Sequence, residues 1–124
     1  MIGKENRFHG HHAVSRVRGQ SIHGRFFSLR MAEQRGGESS SYRLAVVVSK
    51  KIANKAVIRN RIRRRTYEII RTQLNLEDKH IDIILYAKTA EIAFVEVDLL
   101  KKDILTLFHR GEQSFRADRP KYRS

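Results

Sequence analysis

The sequence contains no cysteine, no tryptophan and a single proline. Without cysteine, the chain can form no disulfide bond, bind no zinc through thiolates and use no thiol as a nucleophile. It also lacks any apolar stretch near the roughly 20 residues that a membrane-spanning helix needs. The opening residues, MIGKENRFHG, have no apolar core of the kind found in secretion signals. We therefore expect a soluble cytoplasmic protein that has no membrane partner.

Acidic residues are scarce as well. Asp and Glu number 13 against 26 Lys and Arg, so the formal net charge is +13. Like charges repel one another in the compact state, and binding to a polyanion would relieve that repulsion. Nucleic acid could supply the opposing charge. An anionic membrane surface is disfavoured, because the basic segment of residues 56–76 lacks the bulky apolar face with Trp or Phe that interfacial anchors have. The composition therefore favours a protein that binds a polyanion.

Hydrophobic periodicity predicts six elements of secondary structure along the 124 residues. A nearly continuous β-branched run at residues 42–49 is typical of a central strand, whereas residues 56–76 repeat near the helical period of 3.6. A loop rich in Gly and Ser covers residues 34–41. In chain order, the elements are a helix at residues 7–18, strands at 21–33 and 42–49, a helix at 56–76, a strand at 81–87 and a helix at 94–110.

This order predicts an α/β fold, in the form of an α+β sandwich. One small mixed sheet would carry the packed helices, in the order α-β-β-α-β-α. The strand-helix-strand unit of residues 42–87 should pair its two strands in parallel. The chain is long enough for one hydrophobic core, so residues 1–110 are predicted to form a single domain. Residues 111–124 are polar and basic, and we expect a disordered tail there.

Positive charge is concentrated at residues 50–65. This segment contains no acid, and the first carboxylate after it belongs to Glu68. A solvated helix face is the ordinary interpretation of such a run, but surface helices usually mix both signs of charge and so gain pairs at i,i+4 spacing. Arginine also suits phosphate, because its planar guanidinium donates two parallel hydrogen bonds. RNA or DNA binding is therefore favoured. The cations are Lys50, Lys51, Lys55, Arg59, Arg61, Arg63, Arg64 and Arg65.

The same segment resembles a known motif. SKKI at residues 49–52 follows an apolar strand, and KAVIRNRIRR at residues 55–64 is similar to the RNR signature of the protein component of bacterial ribonuclease P. GRFF at residues 24–27 and the apolar strand at 81–87 agree with that family as well. Because the resemblance extends over residues 7–110, nearly all of the predicted domain is identified as a member of this family.

The resemblance implies a function that needs no catalytic residue in this chain. In the family, the catalyst is an RNA that carries magnesium ions, and the small protein binds that RNA and the 5′ leader of precursor tRNA. The chain would thus be a subunit of ribonuclease P that assists the endonucleolytic removal of the leader. Its partners would be the catalytic RNA and precursor tRNA, with no protein partner required, and Mg²⁺ would be held by the RNA and the substrate. The family fold also implies a left-handed βαβ crossover, against the usual right-handed preference.

Two sets of site residues follow from the resemblance. The motif would face the catalytic RNA, and a cleft between the first helix and the sheet would hold the leader. The RNA-facing residues would be Lys50, Lys51, Lys55, Arg59, Asn60, Arg61, Arg63 and Arg64. The leader cleft would be lined by Phe8, Val14, Val17, Phe26, Phe27 and Arg30.

The cleft differs from the family pattern in its aromatic content. The family often has aromatic residues on the first helix and at the end of the first strand, where this chain has Arg16 or Arg18 and Arg30. We therefore expect leader contacts to depend more on charge than on stacking. Phe26 and Phe27 are adjacent in a predicted strand, so one should lie in the core and the other should face the cleft.

Other candidate sites are weaker. The histidines at positions 9, 11, 12 and 23 have no paired carboxylate or cysteine nearby, so an RNA-facing loop is favoured over a metal site. No two carboxylates converge for acid-base catalysis, and Asp82 is interpreted as a solvated acid. The alternative function is a stand-alone RNA-binding module, such as a small ribosomal protein. Only the ribonuclease P subunit should lower the magnesium that a catalytic RNA needs to cleave precursor tRNA.

Overall fold

A computed structural model describes residues 21–33, 42–74, 76 and 81–117 of the chain. The strands within these residues are β1 (Ser21–His23), β2 (Phe27–Glu33), β3 (Arg43–Val47) and β4 (Ile81–Ala87). The α-helices are α1 (Ala56–Gln73) and α2 (Val97–Ala117), and a 3₁₀ helix covers Ala90–Ala93. The helix predicted at residues 7–18, with the cleft residues Phe8, Val14 and Val17, lies outside the described residues, as does the predicted loop at 34–41.

β4 is a central strand of one mixed sheet. The strand order is β1-β2-β4-β3, and β4 is antiparallel to β2 and parallel to β3. Its sequence is apolar at nearly every position because side chains cover both of its faces. Ile83 and Leu85 lie in the main core, whereas Ile84 packs with Ala45 on the opposite face. The predicted fold class and the parallel pairing across residues 42–87 are confirmed.

Asp82 is buried in β4 and is not the solvated acid that the sequence suggested. Arg43 of β3 lies directly opposite in the parallel ladder. Its Nε and Nη2 atoms donate to the two carboxylate oxygens, each over 2.8 Å. Burying a lone carboxylate is costly, so this ion pair explains how Asp82 is tolerated inside the sheet.

The strand predicted at residues 21–33 is in fact a hairpin of β1 and β2. The chain reverses at Gly24, whose backbone amide donates to the Phe27 carbonyl over 2.8 Å. A Cβ atom at Gly24 would lie only 2.7 Å from Oδ1 of Asp103 in α2. The turn therefore requires glycine because a distant element of the chain packs against it.

Helix α1 packs one stripe of side chains against the core, in agreement with the predicted helical period. The buried residues of this stripe are Ile62, Thr66, Ile69 and Ile70. The Thr66 hydroxyl donates to the Ile62 carbonyl over 2.7 Å, so its buried polar group is satisfied. The helix ends at Gln73, three residues before the predicted end, because Leu74 already has an extended backbone.

Helix α2 extends to Ala117, beyond the predicted end at residue 110. Its inward residues Leu100, Ile104, Leu107 and Phe108 are buried. Gly111 continues this stripe against β2, where a Cβ atom would lie 2.6 Å from Sδ of Met31 and 2.7 Å from Cδ2 of Leu29. Residues 111–117 are therefore helical in the structure, in a segment where the sequence predicted a disordered tail. Glycine is a poor helix former, which is why the sequence pattern did not carry the helix through it.

Candidate RNA interface

The three lysines of the motif lie on an exposed loop between β3 and α1. Ser49 folds this loop, since its carbonyl accepts from the amides of Ile52 and Ala53, each over 3.1 Å. Its hydroxyl accepts from the Ile52 amide over 3.3 Å. Ala53 is buried and Ile52 packs against the core, so these two residues anchor the loop to the core. The exposed residues of the loop include Lys50, Lys51 and Lys55.

Arg59 holds the loop to the first turn of α1. Its Nη1 atom donates to the carbonyls of Ala53 and Asn54, over 3.0 and 2.8 Å. The side chain is half-buried by these contacts. Arg59 was predicted to face RNA, and its first role in the structure is to fix the backbone that carries the lysines.

Arg61 and Arg65 hold the end of the 3₁₀ helix and the residues just after it. Nε of Arg61 donates to the Ala93 carbonyl. Nη1 and Nη2 of Arg65 donate to the carbonyls of Ile92 and Val95, each over 2.6 Å. Burial, together with the positive charge of Arg61, lowers the pKa of Arg65 below its ordinary value. From the sequence, Arg65 was predicted only as part of the basic run, without a role of its own. Its spacing of four residues from Arg61 places both side chains on one side of the helix, and this was the sequence feature that could have indicated their shared role.

The remaining motif residues face outward. Arg63 is half-buried, and its Nη1 atom donates to Oδ1 of Asn60 over 3.3 Å. Arg64 is exposed and makes no side-chain hydrogen bond or ion pair with the rest of the described chain. The motif is thus divided between arginines that hold backbone carbonyls and cations that stay available for an external anion.

Negative charge on α1 does not neutralise these cations. The helix has no acid in its first turn, and Glu68 pairs with Arg71 one turn later. Arg71 is the main cause of the lowered pKa of Glu68, through a hydrogen bond to its carboxylate. A surface whose positive charge is not compensated by any acid of α1 itself therefore lies on the loop and the first three turns of α1, and we call it the basic surface. Its exposed cations are Lys50, Lys51, Lys55, Arg61 and Arg64.

The described residues include three that were predicted to line the leader cleft, namely Phe26, Phe27 and Arg30. Phe26 and Phe27 are 2% and 0% exposed and both belong to the main core. Both rings are therefore core residues in the structure, whereas the sequence predicted that only one would be. Phe26 precedes β2 and lies in the turn, so the strict alternation of strand side chains does not apply to this pair.

Of the predicted cleft residues that the structure describes, Arg30 is the one whose side chain reaches the other face of the sheet. Its Nη2 atom donates to the Ser21 hydroxyl over 3.2 Å, and its guanidinium carbon lies 5.9 Å from the ring centre of Tyr86. Its Nε atom is buried without a hydrogen-bond partner in the described structure. An unpaired buried donor is costly, and because Nε has almost no accessible surface, an external acceptor could reach it only after the side chain moves.

The described residues contain neither a candidate metal-ion site nor a helix that could span a membrane. No three His, Asp or Glu side chains among them are grouped so that they could hold a metal ion. None of the helices described has the length and apolar character needed to cross a membrane. Nδ1 of His23 lies 2.9 Å from the Ser28 hydroxyl, and the histidines at positions 9, 11 and 12 are outside the described residues.

The sequence is similar to known proteins along most of its length. A family model for ribonuclease P matches residues 2–112. The ribonuclease P protein component of Thermus scotoductus is 36% identical over 102 residues, which make up 80% of this chain and 59% of that protein. The ribonuclease P protein component of Prochlorococcus marinus strain MIT 9303 is 33% identical over 85 residues, or 67% of this chain and 66% of that protein. The chain thus spans somewhat more than half of the length of its Thermus relative.

Solved structures share the fold. The RNase P protein of Staphylococcus aureus matches with a TM-score of 0.69 at 23% identity. The match covers 89% of this chain and 97% of the Staphylococcus chain. The RNase P protein of Thermotoga maritima has a TM-score of 0.60 at 23% identity and covers 74% of this chain and 83% of its own. With the family model matched over residues 2–112 and the RNR motif in its structural place on α1, the chain belongs to the ribonuclease P protein family.

Proposed function

We propose that the chain is the protein subunit of a cytoplasmic ribonuclease P. It would bind the catalytic RNA and the 5′ leader of precursor tRNA, and so assist the endonucleolytic removal of the leader. The observation that supports this proposal is that the motif contains both arginines that hold the backbone and cations that are free to bind an external anion. Arg59 and Arg61 bind backbone carbonyls, Arg61 while its side chain remains exposed, and four further cations are exposed on that backbone. Those cations are Lys50, Lys51, Lys55 and Arg64.

The basic surface would act by reducing repulsion between two RNA molecules. The phosphates of precursor tRNA repel those of the catalytic RNA, and dissolved magnesium can screen that repulsion only at high concentration. Fixed ammonium and guanidinium groups would replace part of this screening, because they neutralise phosphates directly. The phosphodiester bond would be hydrolysed on the RNA, with Mg²⁺ bound by the RNA and the substrate.

Leader binding would involve the opposite face of the sheet from the main core. The positive charge of Arg30, whose side chain is half-buried on this face, supports this part of the proposal, since a phosphate oxygen could accept from its guanidinium group. With Phe26 and Phe27 in the core, the leader would be held there by charge and not by stacking on those two rings. Precursor tRNA should consequently bind more tightly than mature tRNA, with little dependence on leader sequence.

Magnesium titration of precursor cleavage tests the proposal. A bacterial ribonuclease P RNA is assayed with and without the full chain, and the protein should shift the titration midpoint to lower magnesium. Arg64→Ala should lose part of this shift. Lys102→Ala removes the same charge from an exposed position on α2 and serves as the matched control that should retain it.

Two outcomes would contradict the proposal. A protein that binds RNA but leaves the magnesium midpoint unchanged would be a stand-alone RNA-binding module. Cleavage of precursor tRNA by the purified chain without any RNA subunit would show that the protein itself is the nuclease.

A further inference from the structure

Phe94 is an exposed aromatic ring beside the basic surface. It is 67% exposed, as is Val57, and no other large apolar side chain in the described structure is more exposed than these two. Neither the sequence motif nor the proposed function assigns it a role. We propose that Phe94 is a stacking platform for one unpaired base of the bound RNA, an inference that rests on the proposed function.

The position of the ring is fixed by α1. The carbonyl of Ala93, just before Phe94, accepts from Arg61, and the carbonyl of Val95, just after it, accepts from Arg65. The amide of Phe94 donates to the Glu91 carbonyl over 2.8 Å. A ring that is held by its backbone on both sides loses little freedom when a base stacks on it, which favours binding.

Positive charge lies next to the ring on the side of α1. The guanidinium carbon of Arg61 is 5.9 Å from the ring centre of Phe94. Val57, Arg61 and Arg64 follow one another at spacings of four and three residues, so they share one side of the helix. Phosphates bound by the cations would bring a base within reach of the ring, which is how proteins combine charge and stacking on single-stranded RNA.

An unpaired base fits this place better than a protein partner does. The apolar area is small and bordered by arginine, whereas the centre of a protein interface is depleted in charge. The exposed carboxylates Glu91, Glu96 and Asp98, which lie close to Phe94 along the chain, disfavour phosphate. The RNA backbone would therefore run along α1 and extend only a base toward Phe94.

The test compares the full chain with three variants on two probes. The first probe is a 12-nucleotide adenosine RNA with one 2-aminopurine, and the second is its duplex with a uridine strand. We expect Phe94→Ala to weaken single-strand binding by about 5- to 150-fold, which corresponds to about 1–3 kcal/mol for one stacked base. Phe94→Trp should retain the affinity. Leu105→Ala shortens an exposed apolar side chain on α2, away from the basic surface in sequence, and should leave the single-strand affinity unchanged.

Two further readouts separate stacking from charge. The quenching of 2-aminopurine should decrease in Phe94→Ala, while duplex binding and the slope of affinity against salt stay as in the wild type. Thermal unfolding should be unchanged, because the ring is largely exposed. A lower melting temperature together with a changed salt slope would mean that the ring is structural and would overturn the inference.

The failures of the two proposals can be told apart. If Phe94→Ala binds the single strand as tightly as the wild type, while the wild type lowers the magnesium midpoint, only the stacking platform is wrong. If the variant instead loses self-association in sedimentation and keeps its RNA affinity, the ring contacts a second copy, and the inference is also wrong. If the wild type binds neither probe and leaves the magnesium midpoint unchanged, both proposals fail.

Discussion

Asp103 connects helix α2 to the turn between β1 and β2. Its two carboxylate oxygens accept from the backbone amides of Arg25 and Phe26, each over 2.9 Å. Hydrogen bonds to a charged acceptor are stronger than those to a neutral one. A single side chain thus determines where the hairpin meets the helix.

Removing this carboxylate should destabilise the fold. We expect Asp103→Ala to lower the free energy of unfolding by about 1.5–3 kcal/mol, because two backbone amides lose a charged partner. Asp103→Asn keeps one acceptor oxygen and should lose less. Urea unfolding measures the difference, with Lys102→Ala at the neighbouring exposed position as the control, expected within about 0.5 kcal/mol of the wild type. Equal stability of all these proteins would show that Asp103 does not hold the turn.

Glu68 gives the stability a small dependence on pH. Its pKa is lowered in the folded state, chiefly by the hydrogen bond from Arg71. Such a carboxylate stabilises the fold above its unfolded-state pKa, and this contribution is lost as the pH falls through the folded-state pKa. We expect Glu68→Gln to be slightly less stable than the wild type at neutral pH and equally stable in acid. Urea titrations under both conditions check this, and a difference that persists in acid would rule out the ion pair as its source.

At the scale of elements, Arg65 links α1 to the segment after β4. We expect Arg65→Ala to lower the free energy of unfolding by about 1.5–3 kcal/mol, since two backbone carbonyls lose a charged donor. Arg64→Ala is the matched variant on the adjacent residue and should change stability by less than about 0.5 kcal/mol. Chemical denaturation measures both. Similar values for the two variants would mean that the structure does not distinguish a structural arginine from an RNA-binding one.

Gly111 sets the distance between α2 and β2. Alanine is a better helix former than glycine by roughly 1 kcal/mol, so helix propensity alone predicts that Gly111→Ala is stabilising. Its Cβ atom would, however, lie 2.6 Å from Sδ of Met31 in the core, and overpacking of this kind typically costs about 1–3 kcal/mol. We expect net destabilisation in thermal unfolding. Thr106→Ala introduces alanine at an exposed position of the same helix, where it meets no core side chain. It therefore measures the effect of helix propensity alone.

Hydrophobic periodicity was sufficient to predict those elements whose buried residues repeat within the sequence of the element itself. The apolar run of β4 and the inward stripe of α1 were predicted because each repeats its pattern locally. The turn at Gly24 was missed, since its need for glycine comes from Asp103 far along the chain. The end of α2 was missed because packing on β2 overrides the weak helix propensity of Gly111.

The candidate site was predicted as a set of residues, but not in its division of roles. Arg61, Arg64 and Arg65 are the same residue type on one helix, and only the four-residue spacing of Arg61 and Arg65 sets that pair apart in the sequence. Only the position of the carbonyls at residues 92–95 shows which guanidinium groups are used for structure. Phe94 was likewise not predicted as a site residue, because its exposure depends on how the 3₁₀ helix ends.

At the scale of the whole molecule, the net charge of +13 should make RNA binding steeply dependent on salt. The exposed loop and Arg64 offer four cations, so neutralising four phosphates predicts a log-log slope of about −3.6 on duplex-like RNA. Arg64→Ala should reduce its magnitude by about 0.9, whereas Asp103→Asn should leave it unchanged. Filter binding over a series of salt concentrations gives the slope, and a nearly flat titration would refute an electrostatic interface.

The strand order also determines when the molecule can assemble. β2 and β3 do not pair with each other, and each is joined to β4, which follows both in the chain. A ribosome therefore synthesises β1, β2, β3 and all of α1 before the strand that unites them, and an isolated two-stranded hairpin is at best marginally stable. Until Ala87 has left the ribosome, the basic segment emerges as an unfolded polycation close to ribosomal RNA. Because the central strand β4 is synthesised after the other three strands, binding of RNA to the unfinished chain would compete with folding.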